Sequence, residues 1–258
     1  MDTTTSPRVM KRNISLSIFF PTYNEEDSIL RTVLEAEAVV KNITDTYEII
    51  IVDDGSVDRT PQIAERLAAE NAKVRVVRHY RNQGYGAALW SGLQASRYEY
   101  VFFTDADLQF NVSELTKLTD FVPEYEAVLG YRAPRHDSFM RLLNAWGWNK
   151  LNWLLFGLKV NDIDCAFKLF KRTTVASLPL KARGAMISAE MLILLLRKGV
   201  AWKEVPVTHL PRKAGVATGA KISVIIRAFR ELFAMYRSDV GNANGTAAAP
   251  DAYHHSQS

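Results

Sequence analysis

The stretch Tyr98-Glu-Tyr-Val-Phe-Phe-Thr-Asp-Ala-Asp-Leu-Gln109 decides how the rest of the chain is read. Its apolar run Tyr100 to Phe103 reads as a strand, and Asp105 and Asp107 follow directly. Residues two apart on an extended backbone face the same side. Both carboxylates are therefore expected to project together at the carboxyl edge of a sheet, where open α/β folds bind ligands. Two hard oxygen ligands there suit Mg2+ or Mn2+ bridging a pyrophosphate, and Gln109 can supply a third oxygen. An isolated Asp-x-Asp is more often a turn or a helix cap, so its surroundings decide.

Working outward, short apolar runs at Ser15 to Phe20, Tyr47 to Val52, Val74 to Arg78, Tyr98 to Phe103, Ala127 to Tyr131, Phe167 to Phe170 and Trp202 to Val207 predict strands. Between them Asp27 to Val40, Thr60 to Glu70 and Gly86 to Ala95 have helical period, with Pro61 in a favoured first turn. Alternation of this kind predicts an α/β fold, a mostly parallel central sheet flanked by helices. Two more polar clusters follow strands: Pro21-Thr-Tyr-Asn-Glu25, and Asp53-Asp-Gly-Ser56 with Asp58 and Thr60. Taken alone, the latter reads equally well as a turn into a helix capped by Asp58. Three such clusters at three strand ends are harder to explain as turns. The Gly84-Tyr-Gly86 loop is not a dinucleotide fingerprint, because it follows the third strand rather than opening the first βαβ unit; its glycines fit a tight turn.

In this order and spacing, Pro21-Thr-Tyr-Asn-Glu25, Ile51-Val-Asp-Asp-Gly-Ser56, Asn82-x-Gly-x-Gly-x-Ala88 and Asp105-Ala-Asp-Leu-Gln109 resemble family 2 glycosyltransferases of the GT-A fold. Later segments resemble the dolichyl-phosphate mannose synthase and polyprenyl-phosphate glycosyltransferase branch. The resemblance implies that Pro21, Tyr23, Glu25, Val52 and Asp54 hold the nucleoside, and that Asp105, Ala106, Asp107 and Gln109 surround metal and diphosphate. It places Arg132 and Arg212 at the phosphates. Two segments depart from the family pattern. Asn161-Asp-Ile-Asp-Cys-Ala-Phe167 keeps Asp162 but introduces Asp164 and Cys165, and Thr218 stands where the family has a lysine.

The implied chemistry is inverting transfer from a GDP- or UDP-sugar to a polyprenyl or dolichyl phosphate. A phosphate monoester, with a second pKa of about 6, is already ionised at neutral pH and needs no strong base. Asp107, Arg132 and Asp162 are the expected catalytic set. Arg132, Arg141 and Asn144 are expected to meet the lipid phosphate, and Asp162 either orients an arginine or the sugar, or is a turn residue. Transfer to a sugar or protein hydroxyl would need a carboxylate base, with Asp164 or Glu190 the candidates. A binding protein or scaffold that merely retains the fold is the non-enzymatic alternative, against which the intact Asp105, Asp107 and Gln109 speak.

Thirty-two basic against 28 acidic residues, a net charge of +4, suit phosphorylated ligands or an anionic membrane surface, and no basic run with interleaved aromatics points to nucleic acid. One cysteine, Cys165, excludes an internal disulfide and favours a reducing, cytoplasmic setting. No apolar run reaches the roughly 18 residues of a membrane span. The expected organisation is a flexible 1–13, a GT-A domain over 14–217, an amphipathic helix over 218–238 and a disordered tail over 239–258.

Two segments have a membrane-facing character. In Phe139 to Phe156, Leu142, Leu143, Trp146, Leu151, Trp153 and Leu154 group opposite Arg141, Asn144, Asn149 and Asn152. In Lys221 to Arg237, Ile222, Ile225, Ile226, Phe229, Phe233 and Tyr236 form a stripe flanked by Arg227, Arg230 and Arg237. Both fit peripheral attachment on the cytoplasmic face, directly or with a separate anchoring subunit. Packing on the core explains the periodicity equally well.

Overall fold

The structure, a computed structural model, describes residues 11–133, 139–211 and 222–243, and only the backbone of 139–141, 222–225 and 238–243. The first half is three βα units: β1 (Ser15–Thr22), α1 (Ile29–Ile43), β2 (Thr46–Asp53), α2 (Thr60–Glu70), β3 (Val74–Arg78) and α3 (Tyr85–Ala95). Then come β4 (Tyr100–Thr104), a short 3-10 turn leading into α4 (Leu115–Thr119), β5 (Ala127–Arg132) and α5 (Phe139–Phe156). β6 (Phe167–Lys171), α6 (Arg172–Ala176), α7 (Ile187–Arg197), β7 (Trp202–Val207) and α8 (Ile222–Ala243) complete it. All seven expected strands are present, in the order β3-β2-β1-β4-β6-β5-β7. α8 runs past the expected end at 238.

The run of continuous apolar residues in β1, β2 and β4 is explained by burial on both faces: Ile18, Phe19, Phe20, Ile49, Ile50, Ile51, Phe102 and Phe103 are all fully buried. Phe19 and Phe103 stack at 5.4 Å, and α3 comes so close that a Cβ on Gly92 would lie 2.2 Å from the Phe19 ring.

β6 is the exception to the parallel sheet, pairing antiparallel with both β4 and β5. Its direction determines the site. The parallel strands β1, β2, β4, β5 and β7 deliver their carboxyl ends to one edge, and β6 brings its amino end there, Phe167 opposite Thr104. The segment 161–166 is thereby carried to the edge that holds Asp105.

α5 and α8 lean on one another through edge-on contacts of Trp148 with Phe229 (5.6 Å) and Phe156 with Tyr236 (6.0 Å). The expected division of α5 holds in part. Asn152 is fully buried and donates to the Trp148 carbonyl, while Leu143, Trp146, Trp153 and Leu154 are exposed, Leu154 at 74% and Trp146 at 64%. On α8 the residue that enters the core is Leu232, outside the expected stripe, whereas Ile226, Phe229 and Phe233 of the stripe are exposed.

Candidate functional site

The first two loops at the sheet edge are sewn together. Asn24, in the left-handed region at φ 55°, donates its N–H to Ser56 Oγ at 2.9 Å and accepts the Val57 N–H at 2.9 Å. Such a backbone suits asparagine better than most residues. The Glu25 N–H donates to Thr60 Oγ1 and the Glu26 N–H to Asp58 Oδ2. Asp58 Oδ1 accepts the Thr60 N–H at 2.9 Å and closes the turn ahead of α2, whose N-cap residue is Arg59 rather than Asp58. Tyr23 stands 38% exposed above this floor. Pro21 and Val52 pair across β1 and β2 and are buried, so they form the floor itself.

Asp54 is already occupied. Its Oδ1 receives His79 Nδ1 at 2.6 Å and the Gln83 N–H at 2.9 Å, and its Oδ2 receives the Gly84 N–H at 2.8 Å. His79 continues to Ser91 through Nε2 at 2.9 Å. Asp54 therefore builds the loop before α3, with at most one lone pair left for a ligand. Asp53 beside it accepts the Ser56 N–H and lies 3.4 Å from Arg78 Nε.

The third loop bends just beyond β4 rather than continuing extended. Leu108 takes a left-handed φ of 59°, and the Ala106 carbonyl accepts the Thr32 hydroxyl of α1 at 3.0 Å. This bend still brings Asp105 and Asp107 together. Asp105 is raised to about 7, first by burial and then by the charge of Asp107. Asp105 Oδ1 is buried without a hydrogen-bond partner among the described residues. Tyr85 is itself raised well above its ordinary value, mainly by burial and then by Asp105, Asp107 and Asp164. A partnerless buried carboxylate oxygen beside a second carboxylate is a destabilised arrangement that a divalent cation relieves. Among the described residues no three acidic, His or Cys groups form a closed cation site, and a hard cation bound by two carboxylates and completed by phosphate oxygens fits this edge. Gln109 is pinned by its amide nitrogen to the Leu210 carbonyl at 3.2 Å.

Asp162 arrives from the amino side of β6 and grips Arg132, at the end of β5, with two bonds: Nε to Oδ2 at 2.6 Å and Nη2 to Oδ1 at 2.8 Å. The side chains are 11% and 4% exposed. Of the two readings of Asp162, orientation of an arginine is the one realised. Removing one partner of such a buried pair typically costs about 3–5 kcal/mol. Asp162→Ala should therefore lower the melting temperature by roughly 6–15 °C, and adding Arg132→Met should restore part of it. A calorimetric melt unchanged in the single variant would refute this.

Lys168 was not visible as a site residue in the sequence. It lies in β6 between Phe167 and Leu169, 1% exposed, and donates Nζ to the carbonyls of Ile163 (3.0 Å) and Cys165. Burial lowers its pKa, opposed by Asp162 and Asp164. It thus staples the loop that carries Asp162. Asn149 of α5 holds the same loop by donating to the Asn161 carbonyl at 2.8 Å. Glu190 is buried rather than on a helix surface and accepts the N–H groups of Lys181 and Ala182 at 2.8–3.0 Å, which removes it as a base candidate. Asp164 is exposed at the edge. Asn144 is exposed on α5, and the Arg141 side chain and Arg212 lie outside the described residues.

The family model of Glycosyl transferase family 2 matches residues 17–178. The chain belongs to glycosyl transferase family 2. Those residues run from β1 through α6 and contain every polar cluster of the edge. The chain is 30% identical over 223 residues to the dolichyl-phosphate beta-glucosyltransferase of Saccharomyces cerevisiae, covering 76% of this chain and 66% of that protein. It is 32% identical over 204 residues to the undecaprenyl-phosphate 4-deoxy-4-formamido-L-arabinose transferase of Pseudomonas fluorescens, covering 78% and 58%. The chain thus spans under two thirds of the length of these relatives. Among solved structures, glucosyl-3-phosphoglycerate synthase of Mycobacterium tuberculosis, in complex with Mn2+, uridine diphosphate and glucosyl-3-phosphoglycerate, superimposes with a TM-score of 0.60 at 22% identity, covering 93% and 82%. That likeness establishes the GT-A fold of the family 2 chain.

Proposed function

We propose that this family 2 chain transfers a sugar, with inversion, from a GDP- or UDP-sugar to a polyprenyl phosphate at a membrane surface. The observation that carries it is the placement of two features. The three loops and the Arg132–Asp162 pair converge on one sheet edge, and α5, whose Asn149 holds the Asp162 loop, turns Trp146, Trp153 and Leu154 outward. Relatives that act on dolichyl and undecaprenyl phosphates support the acceptor class.

Asp105 and Asp107 would hold Mg2+ or Mn2+, which supplies neutralisation of the departing diphosphate when bound. Tyr23 is placed to cover the base, with Glu25 and the buried floor of Pro21 and Val52 beside it. An ionised acceptor oxygen attacks the anomeric carbon as the bond to the β-phosphate oxygen breaks, and the nucleotide diphosphate leaves with the electron pair. Two anions must approach each other in this step. Arg132, fixed in one orientation by Asp162, is the described cation at that edge, and Arg141 and Arg212 complete the proposed set.

Incubation with a panel of UDP- and GDP-sugars, Mg2+ or Mn2+ and polyprenyl phosphate, followed by mass spectrometry, should yield a lipid-linked sugar phosphate. Absence of product from every pairing, with folded protein, would refute the reading. Because a phosphate acceptor ionises unaided, Asp164→Asn should keep kcat within about tenfold of the parent. A fall of several orders of magnitude with donor binding intact would favour a hydroxyl acceptor.

A further inference from the structure

We propose that Asp54, held in one orientation by His79, reads the nucleotide base as uracil, so that the donor is a UDP-sugar and not a GDP-sugar. This rests on the nucleotide-sugar reading above, and His79 is the positioning residue.

Asp54 lies beside the proposed base pocket, because its own N–H donates at 2.8 Å to the carbonyl of Thr22, the residue before the exposed Tyr23. An ionised carboxylate accepts about four hydrogen bonds. Three are taken by the protein itself. Oδ1 is filled by His79 Nδ1 at 2.6 Å and the Gln83 N–H at 2.9 Å, and Oδ2 holds the Gly84 N–H at 2.8 Å. His79 is fixed in turn: its backbone N–H donates to the Asp53 carbonyl at 2.9 Å, and Nε2 lies 2.9 Å from Ser91 Oγ. A carboxylate has no proton to give, so Nδ1 is the donor, and Nε2 of the neutral ring accepts from the serine. The loop that carries Gln83 and Gly84 is equally held, since a Cβ on Gly55, at φ +70°, would lie 2.4 Å from the Arg81 carbonyl carbon.

One acceptor site therefore remains, on Oδ2. Uracil presents a single ring N–H, at N3 between two carbonyls, and matches it. Guanine presents two adjacent donors, N1–H and the N2 amino group, and pairs with a carboxylate through both oxygens; Oδ1 is closed to it. The neighbouring acids are committed elsewhere. Asp53 is fully buried and accepts the Ser56 N–H, and Glu25 accepts the Ser28 hydroxyl on Oε2 at 2.8 Å. Asp54 is itself only 2% exposed, so a guanine donor left over against it has little water to turn to. Such an unpaired donor costs on the order of tenfold or more in affinity.

The test is calorimetric binding of UDP, GDP and UDP methylated at N3, in MgCl2, to the parent, His79→Leu and His79→Asn, with folding followed by a thermal melt. The parent should bind UDP at least about tenfold tighter than either of the other two. His79→Leu removes the N–H that fixes the carboxylate, so UDP should lose about tenfold while GDP and the methylated nucleotide change by less than about threefold. Asparagine presents a side-chain N–H where histidine has Nδ1, so His79→Asn should recover most of the UDP affinity. Should His79→Leu fail to fold, the parent's ranking of the three nucleotides and its retention in His79→Asn still decide. A parent that binds GDP as tightly as UDP overturns the base assignment, and so does equal affinity for UDP and its N3-methyl form, which would show that Asp54 does not read the base. An equal loss of all three nucleotides in His79→Leu overturns the positioning role and makes His79 a support of the loop alone. If the parent binds none of them, the nucleotide-sugar reading itself fails, and the choice of base falls with it.

Discussion

Asp107→Ala is expected to abolish sugar transfer while leaving the protein folded. Asp107, buried at 9% exposure, accepts the Gln109 N–H at 3.1 Å in a loop that is also held by the left-handed Leu108 and the Thr32 hydroxyl on the Ala106 carbonyl. Its removal also relieves the repulsion that burial and Asp107 together impose on Asp105. Stability should therefore change little. Activity should not survive, because the departing diphosphate loses charge neutralisation of several kcal/mol. At about 1.4 kcal/mol per factor of ten, turnover should fall roughly 10³-fold or more. Parent protein in chelator should show a similar loss, reversed by Mg2+ or Mn2+. Product formation measured beside a thermal melt decides it. Full turnover in chelator, with Asp107→Ala active, would remove the metal from the mechanism.

The difference between what was legible in the sequence and what was not follows a physical division. β1, β2 and β4 are apolar throughout because both faces are covered, and such runs ending in Asp, Asn or Gly can be read residue by residue. The clusters at Pro21, Asp53 and Asp105 were legible for the same reason, as polar groups placed where strands stop. Direction is not local. The antiparallel course of β6 depends on how α5 and the following loop return to the sheet, and it is this course that brings Asp162 to Arg132. Partners distant in sequence were equally hidden. His79 reaches Asp54 over 25 positions. Lys168 occupies a strand position where a lysine reads as an edge residue. The upstream Asp162 and Asp164 were the one available hint that this cation was needed inside.

Periodicity on α5 and α8 left lipid and core as alternatives for their apolar faces, and the observed exposure sharpens the test of membrane attachment. The outward surface carries Leu143, Trp146, Trp153 and Leu154 from α5 and Ile226 and Phe233 from α8, with Arg227, Arg230 and Arg237 also exposed. Ile226, Phe229, Arg230, Phe233, Ala234 and Arg237 line a shallow concavity of about 520 Å³. Lys150 lies 3.8 Å over the Trp153 ring, the kind of aromatic and cationic pairing found at a headgroup boundary. Trp146→Glu with Phe233→Glu should therefore abolish co-sedimentation with anionic liposomes. Each aromatic contributes about 1.5–3 kcal/mol on burial, so the pair is worth at least about 10²-fold in partitioning. The melting temperature should barely move, because both side chains already face water. Leu232→Glu is the opposite control: Leu232 is fully buried, and an unpaired charge there should unfold the helix from the domain or cost several kcal/mol. Parent binding should weaken as salt rises from low to physiological strength, since Arg230 and Arg237 contribute through screened attraction, whereas Arg227 is paired with Glu231. A stable Trp146→Glu/Phe233→Glu protein that still sediments with liposomes would show that this face does not meet the membrane.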